Sequence, residues 1–245
     1  MAPRILVPMV VGLLAAPAGA QGRVIITEIM YNPASVEDKG QTEWVEIANV
    51  GDAAVEITDW KLDDEDSLDW GTFSCVLPPG GVVVLINRDG TNEQDFRKAW
   101  DIAPKEGEPE PPPYLVIPVT WGSLANRPDE QNEILQVRND RGEVVCEVNF
   151  QSGGLWPSVT GRGGPSIALT SAKVVELNDG RGWMKSEAGK HGARASRAAG
   201  AFSAEDIGSP GTVAGLDPPT EAPRLKDGAG ATPKREGGDS NRVDF

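Results

Sequence analysis

The chain has 245 residues, 39% of them hydrophobic, enough to bury one sizeable core in one large β domain or two small ones. Its net charge of -14 argues against general affinity for DNA or another polyanion. With two cysteines and a single histidine, it holds no Cys/His cluster of the kind that ligates zinc.

Residues 1–22 read as an export signal. Arg4 gives a positive start, Ile5 to Ala16 an apolar stretch, and Ala18-Gly19-Ala20 a small-residue cleavage site before Gln21. The apolar run is shorter than the roughly 20 residues a membrane span needs, and it contains Pro8. A mature chain that is secreted, periplasmic or at the cell surface, without a transmembrane segment, is the expectation.

Beyond the signal, short strands alternate with turns. Val24 to Met30 is the first strand, broken by Asn32-Pro33. Glu43 to Val50 is the second, closed by Gly51-Asp52. Ala54 to Ile57 and Asp59 to Leu62 read as two short strands at a bend, followed by an acidic loop, Asp63 to Asp69. Phe73 to Leu77 is a strand. Pro78-Pro79-Gly80-Gly81 turns into Val82 to Asn87, whose unbroken apolar character predicts a central strand. Thr91 to Asp101 is the one predicted helix, with Thr91 and Gln94 at capping-box spacing and Phe96 and Trp100 on one face. The proline-rich stretch 102–113 reads as a surface insert.

Tyr114 to Thr120 is predicted as an edge strand because of Pro118. Asn132 to Arg138 and Glu143 to Phe150 form a hairpin about Asn139-Asp140-Arg141-Gly142. Ser166 to Thr170 is the last predicted strand. Residues 171–207 are rich in Gly, Ala, Ser and charge, with Trp183 as an anchor, and residues 215–245 are predicted to be disordered. About nine strands, one short helix and no strand-helix-strand units imply an all-β sandwich of two packed sheets.

The wording of these strands resembles the lamin tail domain family. The carriers are Glu28, Asn32-Pro33, Glu43-Trp44-Val45-Glu46-Ile47, Asn49, Gly51, Trp60-Lys61-Leu62 and Pro78-Pro79-Gly80. Thr120-Trp121-Gly122, Trp156-Pro157, Gly164-Pro165-Ser166 and Gly208-Ser209-Pro210-Gly211 follow in order. The likeness spans roughly residues 23–214 and is similar to exported bacterial members. It implies an immunoglobulin-like β-sandwich, interrupted here by inserts near 102–113 and 184–207. It implies no catalytic machinery and no cofactor.

Candidate sites are few. Asp63, Asp64, Asp66 and Asp69 crowd one loop, as a hard cation would require. Their spacing matches no EF-hand, so a solvated acidic loop with weak calcium affinity at most is expected. Glu28, Glu43 and Glu46 interrupt apolar strands; they read as solvent-facing or as acceptors of backbone hydrogen bonds, and less as an acid-base pair. His191 has no activated serine context and reads as a loop histidine. Cys75 and Cys146 are either a disulfide or two separate buried thiols. Arg181, Lys185, Lys190, Arg194 and Arg197 form the one basic run, a loop able to hold an anionic group locally, and Trp183, Lys190, Arg194 and Arg197 are the candidate partner loop. The expected function is an exported, non-enzymatic interaction module that binds an extracellular protein or polysaccharide. The alternative is an accessory module to a separate secreted or surface hydrolase or nuclease.

Overall fold

Two strands explain the architecture. They are the middle pair of the larger sheet, residues 44–49 and 82–87, buried along their whole length, as is the neighbouring strand 24–30, and such strands must be covered from both sides. The computed structural model describes residues 20–35, 42–65, 71–101, 112–126, 133–159, 163–203 and 205–226. Most of the signal segment, Asp66, Asp69, the proline-rich insert up to residue 111 and the tail beyond 226 lie outside the described residues. Among the described residues, no helix is long and apolar enough to cross a membrane.

The strands are β1 (Val24–Met30), β2 (Trp44–Asn49), β3 (Val55–Asp63), β4 (Phe73–Leu77), β5 (Val82–Asn87), β6 (Leu115–Val119), β7 (Glu133–Arg138) and β8 (Val144–Phe150). After these come β9 (Ile167–Leu169), β10 (Trp183–Lys185), β11 (Arg194–Ala195), β12 (Ile207–Gly208) and β13 (Arg224–Leu225). Among the described residues the one α-helix, α1 (Glu93–Trp100), lies between β5 and β6. A six-stranded sheet runs β10-β9-β1-β2-β5-β6, and a five-stranded sheet runs β13-β4-β3-β7-β8. All pairings are antiparallel except β5 with β6. This is the immunoglobulin-like β-sandwich expected from the strand pattern.

Ile26, Ile29, Val45, Ile47, Val83 and Leu85 point from the first sheet into the inter-sheet core. Ile57, Leu77, Leu135, Val137, Val148 and Phe150 meet them from the second. The opposite face of the first sheet is also buried. There Met30, Trp44, Ala48, Val82, Val84 and Ile86 pack against Phe96, Trp100 and Phe202. Burying each such large side chain contributes about 1.5–3 kcal/mol. The two indoles of Trp44 and Trp100 meet edge to face at 5.6 Å.

The second, outer core holds α1 in place. An eight-residue helix is marginal by itself, and here Phe96 and Trp100 fasten it to β2 and β5. Asn92, one residue after the predicted Thr91, is the cap: its side chain accepts from the Asp95 amide at 2.9 Å. The predicted break at Asp59 is a bend within one strand. Asp59 takes a positive φ of 51° and donates its amide to Ser74 Oγ at 2.9 Å. Past that bend β3 leaves β4 and pairs with β7.

Two expectations are corrected and an open alternative is decided. Residues 184–207 are a packed cover, because β11 pairs with β12 and Phe202 enters the outer core. Residues 215–226, expected to be disordered, include β13, which pairs Arg224 with Val76 and Leu225 with Cys75. A polar segment can do this because an open strand edge is satisfied by main-chain bonds alone. Of the two readings of the cysteines the structure holds the second: Cys75 and Cys146 are free, buried thiols. They sit on β4 and β8, three inter-strand steps apart, roughly 14 Å at about 4.8 Å per step, against a limit of about 7 Å between bridged Cα atoms. Burial pushes their thiols up to about 12 and about 11, which makes both unreactive. Protein unfolded without reductant should therefore titrate two thiols with a chromogenic disulfide reagent; recovery of none would overturn this strand order.

Candidate functional site

The three glutamates that interrupt apolar strands are structural anchors. Glu28 and Glu46 are register partners across β1 and β2, on the outer face of the first sheet. They are 1% and 0% exposed. Glu28 accepts from the Ser209 amide at 2.8 Å, Ser209 Oγ at 2.7 Å, Ser186 Oγ at 3.3 Å and the Ser166 hydroxyl. Glu46 accepts from Thr27 Oγ1 and from the Gly211 amide, each at 2.7 Å. The Gly208-Ser209-Pro210-Gly211 turn is thus fastened to the sheet by two carboxylates. A Cβ on Gly208 would stand 2.8 Å from the Trp44 ring. Gly211 has a φ of +86° and a Cβ there would meet Tyr114 at 2.5 Å, so glycine is required at both ends of the turn.

Burial raises both carboxyls, and hydrogen bonds and the Arg194 charge only partly offset it. Glu46 is pushed up to about 8 by burial and then by the neighbouring Glu28 charge. Glu28 has the larger set of hydrogen-bond donors of the pair. Glu43 does the same work elsewhere, accepting from the Leu124 amide at 2.9 Å, Ser123 Oγ at 3.3 Å and Trp121 Nε1 at 3.3 Å.

The candidate partner loop is divided by the structure. Trp183 is buried against Trp156, with ring centroids 5.7 Å apart, and cannot meet a partner directly. Arg194 donates to the carbonyls of Trp100 at 2.6 Å and Pro210 at 3.0 Å, so its guanidinium fastens the cover. Lys190 is exposed and paired with Glu187 at 2.5 Å. Arg197 is exposed, its amide bonded to the Ala99 carbonyl at 2.8 Å. His191 is exposed on a left-handed turn with φ 49°. In the acidic loop, Asp63 is bound to Arg138 at 2.9 Å and Lys61 at 3.6 Å, and Asp64 is buried.

The open feature lies elsewhere. β9 pairs with β1 only at Glu28 and Ile29, so Val24 to Ile26 have a strand on one side alone. β8 ends the second sheet. These two bare edges face each other across a groove of about 290 Å³ lined by Arg23, Val24, Val145, Glu147, Val175 and Glu176 among others. The Ile26 amide donates to Cys146 Sγ at 3.2 Å at its floor. Val145 is a bulge in the β7–β8 ladder, where Val137 pairs with Cys146 and Arg138 with Val144. Val175, in the lining, is 69% exposed, and Val144, the neighbour of Val145 on β8, is 45% exposed. The outer wall is fixed by Asn178, whose side chain accepts from the Asn149 amide at 2.7 Å, and by Leu177, whose carbonyl accepts from Trp183 Nε1 at 2.8 Å. Of the lining residues, Cys146 alone was singled out from the sequence, as a thiol and not as part of a groove. The pair Val174-Val175, inside an otherwise small and polar stretch, was the available signal.

Two outcomes follow for the carboxylates. A carboxyl whose folded pKa lies above its unfolded value adds stability that is full below pH about 4.5 and is lost as the pH rises toward about 8. Glu46→Gln keeps the shape and removes the titration. Thermal midpoints across pH 5 to 8 should fall for the parent and fall distinctly less for the variant; parallel curves would refute it. Gly211→Val should cost about 2–4 kcal/mol in denaturant unfolding, from strained backbone and the clash with Tyr114.

A family model described as the Lamin Tail Domain matches residues 17–152. That segment runs from before β1 through the end of β8. No curated protein matches the chain. The match covers more than half of the sequence and takes in β1 to β8, eight of the eleven strands of the two sheets, and on that ground the chain belongs to the lamin tail domain family.

Proposed function

We propose that this protein is an exported, non-enzymatic interaction module of the bacterial type, and that it holds another envelope protein or an extracellular polymer. The observation that carries this reading is a division of labour among its polar groups. Glu28, Glu43 and Glu46, the three buried glutamates, are each engaged by several donors that close loops. A general acid or base must instead reach a substrate proton. The solvent-facing groove offers a strand edge and the exposed Val175, the ingredients of recognition by contact. Of the two partner classes, a protein fits this edge better, because main-chain pairing needs a peptide.

The export part of the reading rests on the signal pattern of residues 1–22. The test is to immobilise the purified chain and challenge it with envelope extract, mapping bound proteins by cross-linking mass spectrometry. In parallel, the free chain is incubated with polysaccharide, ester and nucleic-acid substrates. Specific cross-links without turnover are expected. Turnover that co-purifies with the chain and disappears in Glu28→Gln without unfolding would defeat the reading.

A further inference from the structure

We propose that the groove between the bare edges of β1 and β8 takes a short extended segment of a partner protein, apolar at alternate positions and flanked by basic residues, which adds to β8 as an extra strand. The inference rests on the reading of the chain as an interaction module and specifies its partner and its mode of binding.

The main-chain groups are in place for it. In an antiparallel ladder, alternate residues turn their N–H and C=O toward the paired strand and the residues between turn theirs away. Asn149 turns its amide away from β7, toward Asn178. Glu147, two residues earlier, therefore offers its N–H and C=O to the groove. On β1 the Arg23 carbonyl accepts from the Val50 amide on the β2 side at 2.8 Å. Val24 and Ile26 consequently face outward, and the Ile26 amide is already given to Cys146 Sγ. Val24 and Glu147 are left as the polar hooks of opposite walls.

Length and chemistry are limited by the same residues. Asn178 closes one end by capping Asn149. The bulge at Val145 twists the other end out of the ladder. About 290 Å³ lies at the lower end of the usual range for binding pockets, room for a few side chains and not for a folded domain. Val145, Val175 and Leu177 supply apolar contacts for alternate side chains of the incoming strand.

Charge decides between occupants. Glu147 and Glu176 line the groove against a single cation, Arg23, in a chain of net charge -14. A second copy would bring its own acidic rim to the same place, and like charges juxtaposed at an interface oppose pairing. A basic segment is drawn in by both the local rim and the overall field.

The experiment titrates the isotope-labelled mature chain with three capped peptides, KVTVTR, EVTVTE and a KVPVTR control, and follows amide shifts and solvent exchange. The expected result is that KVTVTR shifts Val24, Val145 and Glu147, slows exchange at Glu147, and binds at least about tenfold more tightly than EVTVTE. KVPVTR lacks a ladder donor and should bind weakly. Val175→Asp should remove binding, and Glu147→Lys combined with Glu176→Lys should invert the preference between the charged peptides. Shifts confined to another surface, equal binding of all three peptides, or no shift at all would overturn the proposal. So would concentration-dependent shifts of the same amides without peptide, which would assign the edge to a second copy. If Val175→Asp still captures its envelope partner, the groove inference fails and the binding reading stands. If KVTVTR binds as described and no envelope partner is captured, the groove inference stands and the broader reading fails.

Discussion

Two carboxylates placed side by side on a sheet that must be buried on both faces are the constraint around which this protein closes. Glu28 and Glu46 stand opposite each other on β1 and β2. Left under an apolar cover, an unpaired carboxylate would cost far more than the whole stability of a domain this size. The closing segment supplies the donors: three serine hydroxyls, the amides of Ser209 and Gly211, and the nearby Arg194 charge. The cover is therefore part of the fold, although it follows β8, the last strand within the segment that the family model matches. Asp206 repeats the device, accepting from the Ala34 amide at 2.7 Å and from Ser35, so the Asn32-Pro33 turn is clasped to the same segment.

The same closure leaves one corner bare. β9 can cover only the second half of β1, because Ser166 just before it is committed to Glu28 and β10 follows on its far side. The first half of β1 and the end strand β8 then face each other with no strand between them. Natural sheets blunt such edges with charges and bulges, and both are present at Glu147 and Val145. What distinguishes this edge is that Val144 and Val175 remain exposed beside it, where solubility alone would favour polar residues.

Much of the framework was legible in the chain because it depends on local signals. β4 and β5 run between the predicted residues, since proline-glycine turns and unbroken apolar character fix them independently of context. Asn92 displaced Thr91 as the helix cap because both residue types suit the position and only packing of Phe96 and Trp100 selects the phase. The thiols could not be assigned from sequence, because the strand order that separates Cys75 from Cys146 is a property of the whole sheet. The role of Glu28 was out of reach for the same reason. Its principal donor, Ser209, lies 181 residues away, and no local pattern announces that a serine will arrive. The groove is more distant still from sequence logic, since it is made by what fails to pair.

The basic run illustrates how composition misleads about surface chemistry. Read linearly, Lys190, Arg194 and Arg197 are a cationic patch in an acidic protein. In the fold, Arg194 has its guanidinium turned to the carbonyls of Trp100, Pro210 and Gly192. Lys190 is matched by Glu187, and Arg181 by Asp179 at 2.6 Å. These are exposed or half-exposed pairs of small energetic worth, yet they offset the charge of Lys190 and Arg181, while Arg197 stays exposed. Trp183 likewise turns inward, where its indole N–H holds Leu177 and so the wall of the groove. A residue chosen from sequence as a contact for partners acts one layer below the surface, by shaping the place where a partner would sit. The field that an approaching molecule meets is then the acidic one of the whole chain, and a selective partner must answer it with basic charge and an exposed strand.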